Sequence, residues 1–119
     1  RHFLANRYYQ ELSTLPMTLP YQSELSYSSY HLFPIKLHLD DIGFSRKEVF
    51  DRLRKMGVGV NVHYIPIHTQ PYYKNLPYEL GDYPVAENFY RQAMSIPLFH
   101  TMSYSQQSKV IDSLKQVIL

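Results

Sequence analysis

The stretch Gly57–Tyr73, GVGVNVHYIPIHTQPYY, constrains this chain more than any other. Val58, Val60, Val62 and Tyr64 fall on one side of an extended backbone, and Gly59, Asn61 and His63 on the other. That period-2 alternation predicts a half-buried strand over 58–64. Pro66 lacks a backbone donor and ends any regular ladder. Beyond it lies a loop holding His68, Gln70, Tyr72 and Tyr73, dense in hydrogen-bonding side chains. A strand that delivers such a loop to one end of a sheet is a common way to build a binding site. Residue types alone mark the site without naming its ligand.

The flanking sequence supplies the scaffold. Phe3, Leu4, Tyr8, Leu12 and Leu15 recur at helical spacing and predict a helix that stops at Pro16. Residues 16–29 read as a surface loop packed through Leu19, Tyr21, Leu25 and Tyr27. Tyr30–Leu39 alternates again, with His31, Phe33, Ile35, Leu37 and Leu39 on one face, and Pro34 argues for an edge strand or a bulge. Asp40, Asp41 and Gly43 read as a turn. Ser45 with Glu48 is a capping box, Phe44 and Val49 are placed for a hydrophobic staple, and Gly57 suits the left-handed position that ends the helix. Phe50, Leu53 and Met56 continue its buried stripe, and the basic run Arg46, Lys47, Arg52, Arg54, Lys55 reads as a solvated face. Residues 30–64 thus read as a strand–helix–strand unit.

After a loop over Lys74–Tyr83, Pro84 opens a helix with a stripe of Val85, Ala86, Phe89, Tyr90 and Ala93. Ser95–Phe99 reads as a short edge strand or extended segment containing Pro97. Ser103 with Gln106 is a second capping box, opening a helix lined by Val110, Ile111, Leu114, Val117 and Ile118. Four helices and about three strands make an α+β layer packing. At 119 residues this is a single domain, 1–119.

Charge and composition exclude several classes. A net charge of +2 with both signs mixed along the chain gives no nucleic-acid footprint. No apolar run reaches the length of a membrane span. Without cysteine there is no disulfide framework or thiolate metal site, which is compatible with a cytoplasmic location. The start at Arg1 and twelve tyrosines against no tryptophan fit a piece of a larger protein whose tyrosine tips are to be covered.

His63 and His68 are the chemistry-bearing candidates. With His100 they would make three imidazoles, but a bare histidine spacing with no acidic residue or cysteine nearby is a weak metal signal, and no metal is expected. His68, and with it His63, reads better as a donor to an anionic or hydroxyl-rich ligand. The plainer reading of His63 is a strand residue facing a neighbouring layer. Tyr72 and Tyr73 either stack on a sugar or base or cover the loop. No carboxylate pair, glycine-rich phosphate loop or nucleophile elbow appears. Nothing here is a self-contained active site.

GVGVNVHYIPIHTQPYY together with GDYPVAENFYRQAMSIPLFHTMSYSQQSKVIDSLKQVI resembles the C-terminal small domain of the DegT/StrS aminotransferases. The resemblance covers nearly the whole chain, and VHYIPIHTQPYY and PVAENFYRQAMSIPLF are its most specific parts. It implies the small domain of a fold-type I, pyridoxal-phosphate-dependent enzyme: a short, mainly antiparallel sheet packed with about four helices, residues 1–15 being the connecting helix. Such enzymes move an amino group from glutamate to the keto group of a nucleotide-linked sugar. NVHYIPIH is most similar to members that act in pseudaminic acid synthesis on the 4-keto group of a UDP-linked deoxy sugar. HTQPYY is also close to members that make aminoarabinose for lipid A.

The same resemblance implies that pyridoxal phosphate and its Schiff-base lysine belong to a large N-terminal domain. Lys36, Lys47, Lys55, Lys74, Lys109 and Lys115 do not match that lysine's motif, Lys36 and Lys74 reading as solvent-facing. No catalytic or cofactor-binding residue is then expected within these residues, which alone would be inactive. Tyr64 and His68 are the implied substrate-side residues, with Ile65, Pro66 and Gln70 next and His63 and Asn61 after them. A homodimer is implied, with sites near the subunit interface. The alternatives are a non-catalytic carbohydrate- or peptide-binding module and an interaction domain with a tyrosine-rich docking face.

Overall fold

The computed structural model describes residues 1–73 and 75–119; the solvent-facing reading of Lys74 lies outside the described residues. The fold is α+β. A three-stranded antiparallel sheet in the order β1-β2-β3 is built from β1 (Met17–Thr18), β2 (Phe33–Leu37) and β3 (Ala93–Ile96). Among the described residues five helices accompany it: α1 (His2–Leu12), α2 (Leu39–Ile42), α3 (Arg46–Lys55), α4 (Pro84–Gln92) and α5 (Tyr104–Ile118). Two single 3-10 turns, Ile67–Thr69 and Pro71–Tyr73, lie between α3 and α4.

Register explains how one sheet serves two purposes. Phe33 pairs with Ile96 and Ile35 with Met94, so these four side chains share a face with Leu37 and its partner Met17. All six are buried in a core completed by Tyr8 and Leu12 of α1, Val49 and Leu53 of α3, and Val110, Ile111 and Leu114 of α5. The opposite face carries Pro34, Lys36, Ala93 and Ser95 and meets α4. The candidate site lies on this second face.

Polar bonds join the helices. Gln107, wholly buried, donates from Nε2 to the Leu4 carbonyl at 2.7 Å, and the Tyr8 hydroxyl donates to the Pro97 carbonyl at 2.7 Å. Both capping boxes form: the Ser45 hydroxyl accepts from the Glu48 N–H and Ser103 from the Gln106 N–H, each acidic or amide side chain reaching back to the cap N–H.

Several expectations from sequence are corrected. Residues 58–64 form no strand; Val58 and Val60 are buried, the Val60 N–H bonds back to the Val58 carbonyl at 3.0 Å, and the sheet pairing is one bridge, Asn61 to Ser95. The strand–helix–strand unit is therefore a strand, a helix and an irregular arm. A two-residue strand, β1, lies inside the stretch read as a loop and stops at Thr18. β2 is central, not an edge. Ser95 gives both its backbone groups to Asn61, so its partner Pro34 sits at a non-hydrogen-bonded position and directs its missing donor away from β3, where β1 has already ended. Asp40 and Asp41 lie in the single helical turn α2, which Gly43 ends in the left-handed region.

The apolar surface also differs. Phe3 is exposed because the buried face of α1 is centred on Leu4, Ala5, Tyr8 and Leu12, about 100° round the helix. Tyr21, Leu25 and Tyr27 stand exposed, although Tyr27 stacks on His2 at 4.2 Å. Ala93 leaves the α4 stripe to begin β3, and α4 buries none of its residues in this chain, Val85 being 85% exposed. No helix among the described residues is long and apolar enough to cross a membrane.

Candidate functional site

The site is hung from one end of the sheet. Gly57 takes φ 77°, and a Cβ there would sit 3.0 Å from Lys109 Nζ, so glycine allows the tight exit from α3. Val58 and Val60 then anchor the arm in the core. Asn61 donates to the Ser95 carbonyl at 3.0 Å and accepts from the Ser95 N–H at 2.7 Å. His63 Nδ1 lies 2.9 Å from the Ser95 hydroxyl, so one β3 residue holds two arm residues. Beyond this clamp, Tyr64–Gln70 crosses towards α4, with the Thr69 hydroxyl donating to the Pro66 carbonyl at 2.8 Å.

The crossing ends on a carboxylate. His68 Nε2 lies 2.8 Å from Glu87 Oε1, with side chains 8% and 17% exposed. The same carboxylate accepts from the Gly81 N–H at 2.8 and 2.9 Å and from the Tyr83 N–H at 3.3 Å. Those donors, the Gly81 N–H foremost, hold the Glu87 carboxyl below the usual carboxylate range against the opposing effect of burial. Glu87 lies in the first turn of α4, where negative charge is favoured. Being ionised it can only accept, so the proton of this bond belongs to His68 Nε2. The His68 ring also packs on Tyr83, centroids 4.8 Å apart, and Tyr83 on Tyr78 at 6.0 Å.

Around this cluster opens an apolar pocket of about 610 Å³ lined by Ile65, Pro66, Ile67, His68, Tyr73, Leu76, Tyr78, Tyr83 and Ala86. Its size is that of a small-molecule site. On the other side of Pro66 a second hollow runs between Tyr64, His63 and the exposed α4 residues Val85 and Phe89. Ile65, Pro66 and His68 of the expected residues thus share the first pocket, while His63 and Tyr64 face the second. Gln70 lies with Val62, Tyr64 and Ile65 in a separate groove, and its Nε2 reaches the Ile65 carbonyl at 3.5 Å. Tyr72 is exposed, its ring edge on Tyr73 at 5.1 Å.

Glu87, Tyr78 and Tyr83 went unnoticed in the sequence. The reading that no acidic residue stands near the histidines is corrected by Glu87, nineteen residues from His68 in sequence and touching it in space. The only available signal was an acid in the first turn after Pro84, which also has a purely helical explanation. His63 and His68 go to different partners and His100 is exposed elsewhere; among the described residues no three of His, Cys, Asp or Glu converge.

Among the described residues the pocket offers no amine that could form an imine with a cofactor. Lys47 pairs with Asp51 at 2.6 Å, Lys115 with Glu11 at 2.9 Å, and Lys109 lies against Gly57. Lys36 lies on β2 beside α4, and no described lysine lines the pocket. The surrounding groups are aromatic rings, aliphatic side chains and one imidazole.

A profile of the DegT/DnrJ/EryC1/StrS aminotransferase family matches residues 1–115. The spore coat polysaccharide biosynthesis protein SpsC of Bacillus subtilis is 29% identical over 121 aligned positions, covering 99% of this chain and 31% of SpsC. The PLP form of Spr1654 from Streptococcus pneumoniae, a sugar aminotransferase by its given description, superposes with a TM-score of 0.86 at 26% identity, over 98% of this chain and 30% of that one. Helicobacter pylori PseC, an aminotransferase involved in pseudaminic acid biosynthesis, gives a TM-score of 0.81 at 25% identity, over 98% of this chain and 31% of that one. The chain spans 24% and 31% of the length of two curated relatives it matches.

Proposed function

The chain belongs to the DegT/DnrJ/EryC1/StrS aminotransferase family, and on that premise we propose that it shapes the sugar side of a nucleotide-sugar aminotransferase. The full protein moves an amino group from glutamate to the 4-keto group of a UDP-linked deoxy sugar, as a cytoplasmic homodimer. Pyridoxal phosphate supplies the electron sink and is held by a large N-terminal domain outside these residues. The 119 residues are the small domain of that protein, residues 1–15 being the connecting helix, and are inactive alone.

Their own work is recognition. Tyr64 and His68 contact the sugar, Ile65, Pro66 and Gln70 shape the mouth, and His63 and Asn61 fix the arm to β3. Apolar walls exclude water, while the imidazole supplies a directional hydrogen bond. The exposed apolar stripe of α4, Val85 and Phe89, is the kind of surface a second domain covers.

One observation carries this reading: within a chain matched to the family almost end to end, the arm after Asn61 and the start of α4 enclose an apolar pocket with His68 in its wall. His68→Ala in the full-length protein tests it. KM for a UDP-linked 4-keto-6-deoxy sugar should rise about 3- to 10-fold, the loss of one hydrogen bond, with cofactor content and fold retained. Unchanged KM would remove His68 from the site. Saturable sugar binding by the 119 residues without the rest of the protein would favour a non-catalytic carbohydrate-binding module instead.

A further inference from the structure

Glu87 has a geometry that a helix-capping acid does not need. Its carboxylate is fixed from three directions, by the Gly81 and Tyr83 N–H groups and by His68. Gly81 stands at φ 103°, in the left-handed region that glycine adopts readily, and so presents its N–H to the carboxylate. Both carboxylate oxygens are thereby tied to the Gly81 N–H, and Oε1 also meets the imidazole.

We propose that Glu87 is a positioning residue for the sugar pocket: it holds the His68 Nε2–H on its carboxylate and so leaves Nδ1 of the neutral ring as a hydrogen-bond acceptor for a ligand hydroxyl or amide N–H. This rests on the reading of His68 as a sugar-side residue and deepens it, because it names the polarity of the contact. Nδ1 has no hydrogen-bond partner among the described residues. His68 lines the pocket with Tyr73, Tyr78 and Tyr83, whereas Glu87 lies behind the ring and lines a different hollow. The two nitrogens of a neutral imidazole have opposite roles, so fixing one as donor makes the other an acceptor. A sugar ring carrying hydroxyl or acetamido N–H donors suits such a wall. A phosphate, which only accepts, does not.

Two measurements test this. Long-range nitrogen–proton NMR of the histidine-labelled chain at pH 7.5 reads the tautomer without any ligand. A single neutral form of His68 protonated at Nε2 is expected; protonation at Nδ1, or at both nitrogens, overturns the proposal. The second is a double-mutant cycle in the full-length protein, using a UDP-linked 4-keto-6-deoxy sugar and working well below the melting transition. Glu87→Gln should raise KM about 3- to 10-fold with kcat retained, and should add nothing in a His68→Ala background. An equal rise in both backgrounds would show that Glu87 acts independently of His68, overturning the proposal. If His68→Ala raises KM and Glu87→Gln does not, the positioning role fails and the sugar-side reading of His68 stands. If His68→Ala itself has no effect, that reading falls and takes the positioning role with it.

Discussion

Asn61 and Ser95 exchange both backbone hydrogen bonds, at 3.0 and 2.7 Å, and this single bridge is the sheet pairing of the arm that carries the site. The Ser95 hydroxyl adds a second tie, 2.9 Å from His63 Nδ1. Position along the arm is therefore set by one β3 residue rather than by a ladder.

Ser95→Ala keeps the backbone bridge and removes the hydroxyl. Loss of one part-buried hydrogen bond should lower stability by about 1 kcal/mol, read from urea unfolding, and Tyr64–Gln70 should become more sensitive to limited proteolysis. Unaltered cleavage there would mean that the backbone bridge alone holds the arm.

Gln107→Ala should cost more than its size suggests. The side chain is wholly buried and its Nε2 donates to the Leu4 carbonyl at 2.7 Å, while Arg7 Nη1 reaches its Oε1 at 3.4 Å. The substitution leaves a polar cavity between α1 and α5, for a loss of about 1–3 kcal/mol in chemical denaturation.

Two tyrosines set the alkaline limit. Burial raises the Tyr9 phenol from the ordinary 10.0 to about 12, helped by the neighbouring Tyr30, and raises Tyr8 further. A neutral acid whose folded pKa is raised contributes stability that is whole below the unfolded value and lost as pH rises through the folded one. The unfolding midpoint should fall as pH rises from about 10 towards about 12. Tyr9→Phe, which also loses the bond to the Pro20 carbonyl, should be less stable at neutral pH and show a shallower alkaline decline.

Glu87 sets an acid limit on the loop. Its carboxyl is lowered from the ordinary 4.5, first by the Gly81 N–H. With a depressed folded pKa the stabilisation is present above 4.5 and is lost as pH falls through the folded value. The Gly81 and Tyr83 amide resonances should hold steady above that pH and shift together below it, while those of β2 stay unmoved.

Local signals were legible wherever a few neighbouring residues decide the outcome. Ser45 with Glu48 and Ser103 with Gln106 identified two helix starts, Pro84 a third, and Gly57 a helix end, because caps are short-range chemistry. The alternation over 58–64 placed Val58 and Val60 in the core, but Tyr64 is exposed and the Val60 N–H bonds to the Val58 carbonyl in a tight turn at Gly59. Whether that stretch pairs depends on Ser95, far off in sequence, with which Asn61 makes the one backbone bridge among the described residues. Pro34 misled because a proline is tolerated in a central strand when its empty donor position faces away from the paired neighbour. Of the residues expected at the site, Ile65, Pro66 and His68 share a pocket wall, while the Glu87 carboxylate beside His68 arrives through the fold of the 75–84 loop, for which no spacing rule exists.

The central claim is that these residues shape the sugar side while the cofactor is held elsewhere in the protein. Its most direct test is to add pyridoxal phosphate to the full-length protein, reduce with borohydride, and map the labelled lysine by mass spectrometry. A single pyridoxyl-lysine is expected on a peptide outside these 119 residues, with no saturable absorption band from the 119 residues alone. A label on Lys36, Lys47, Lys55, Lys74, Lys109 or Lys115 would contradict it, as would the absence of any label in a protein shown to be folded.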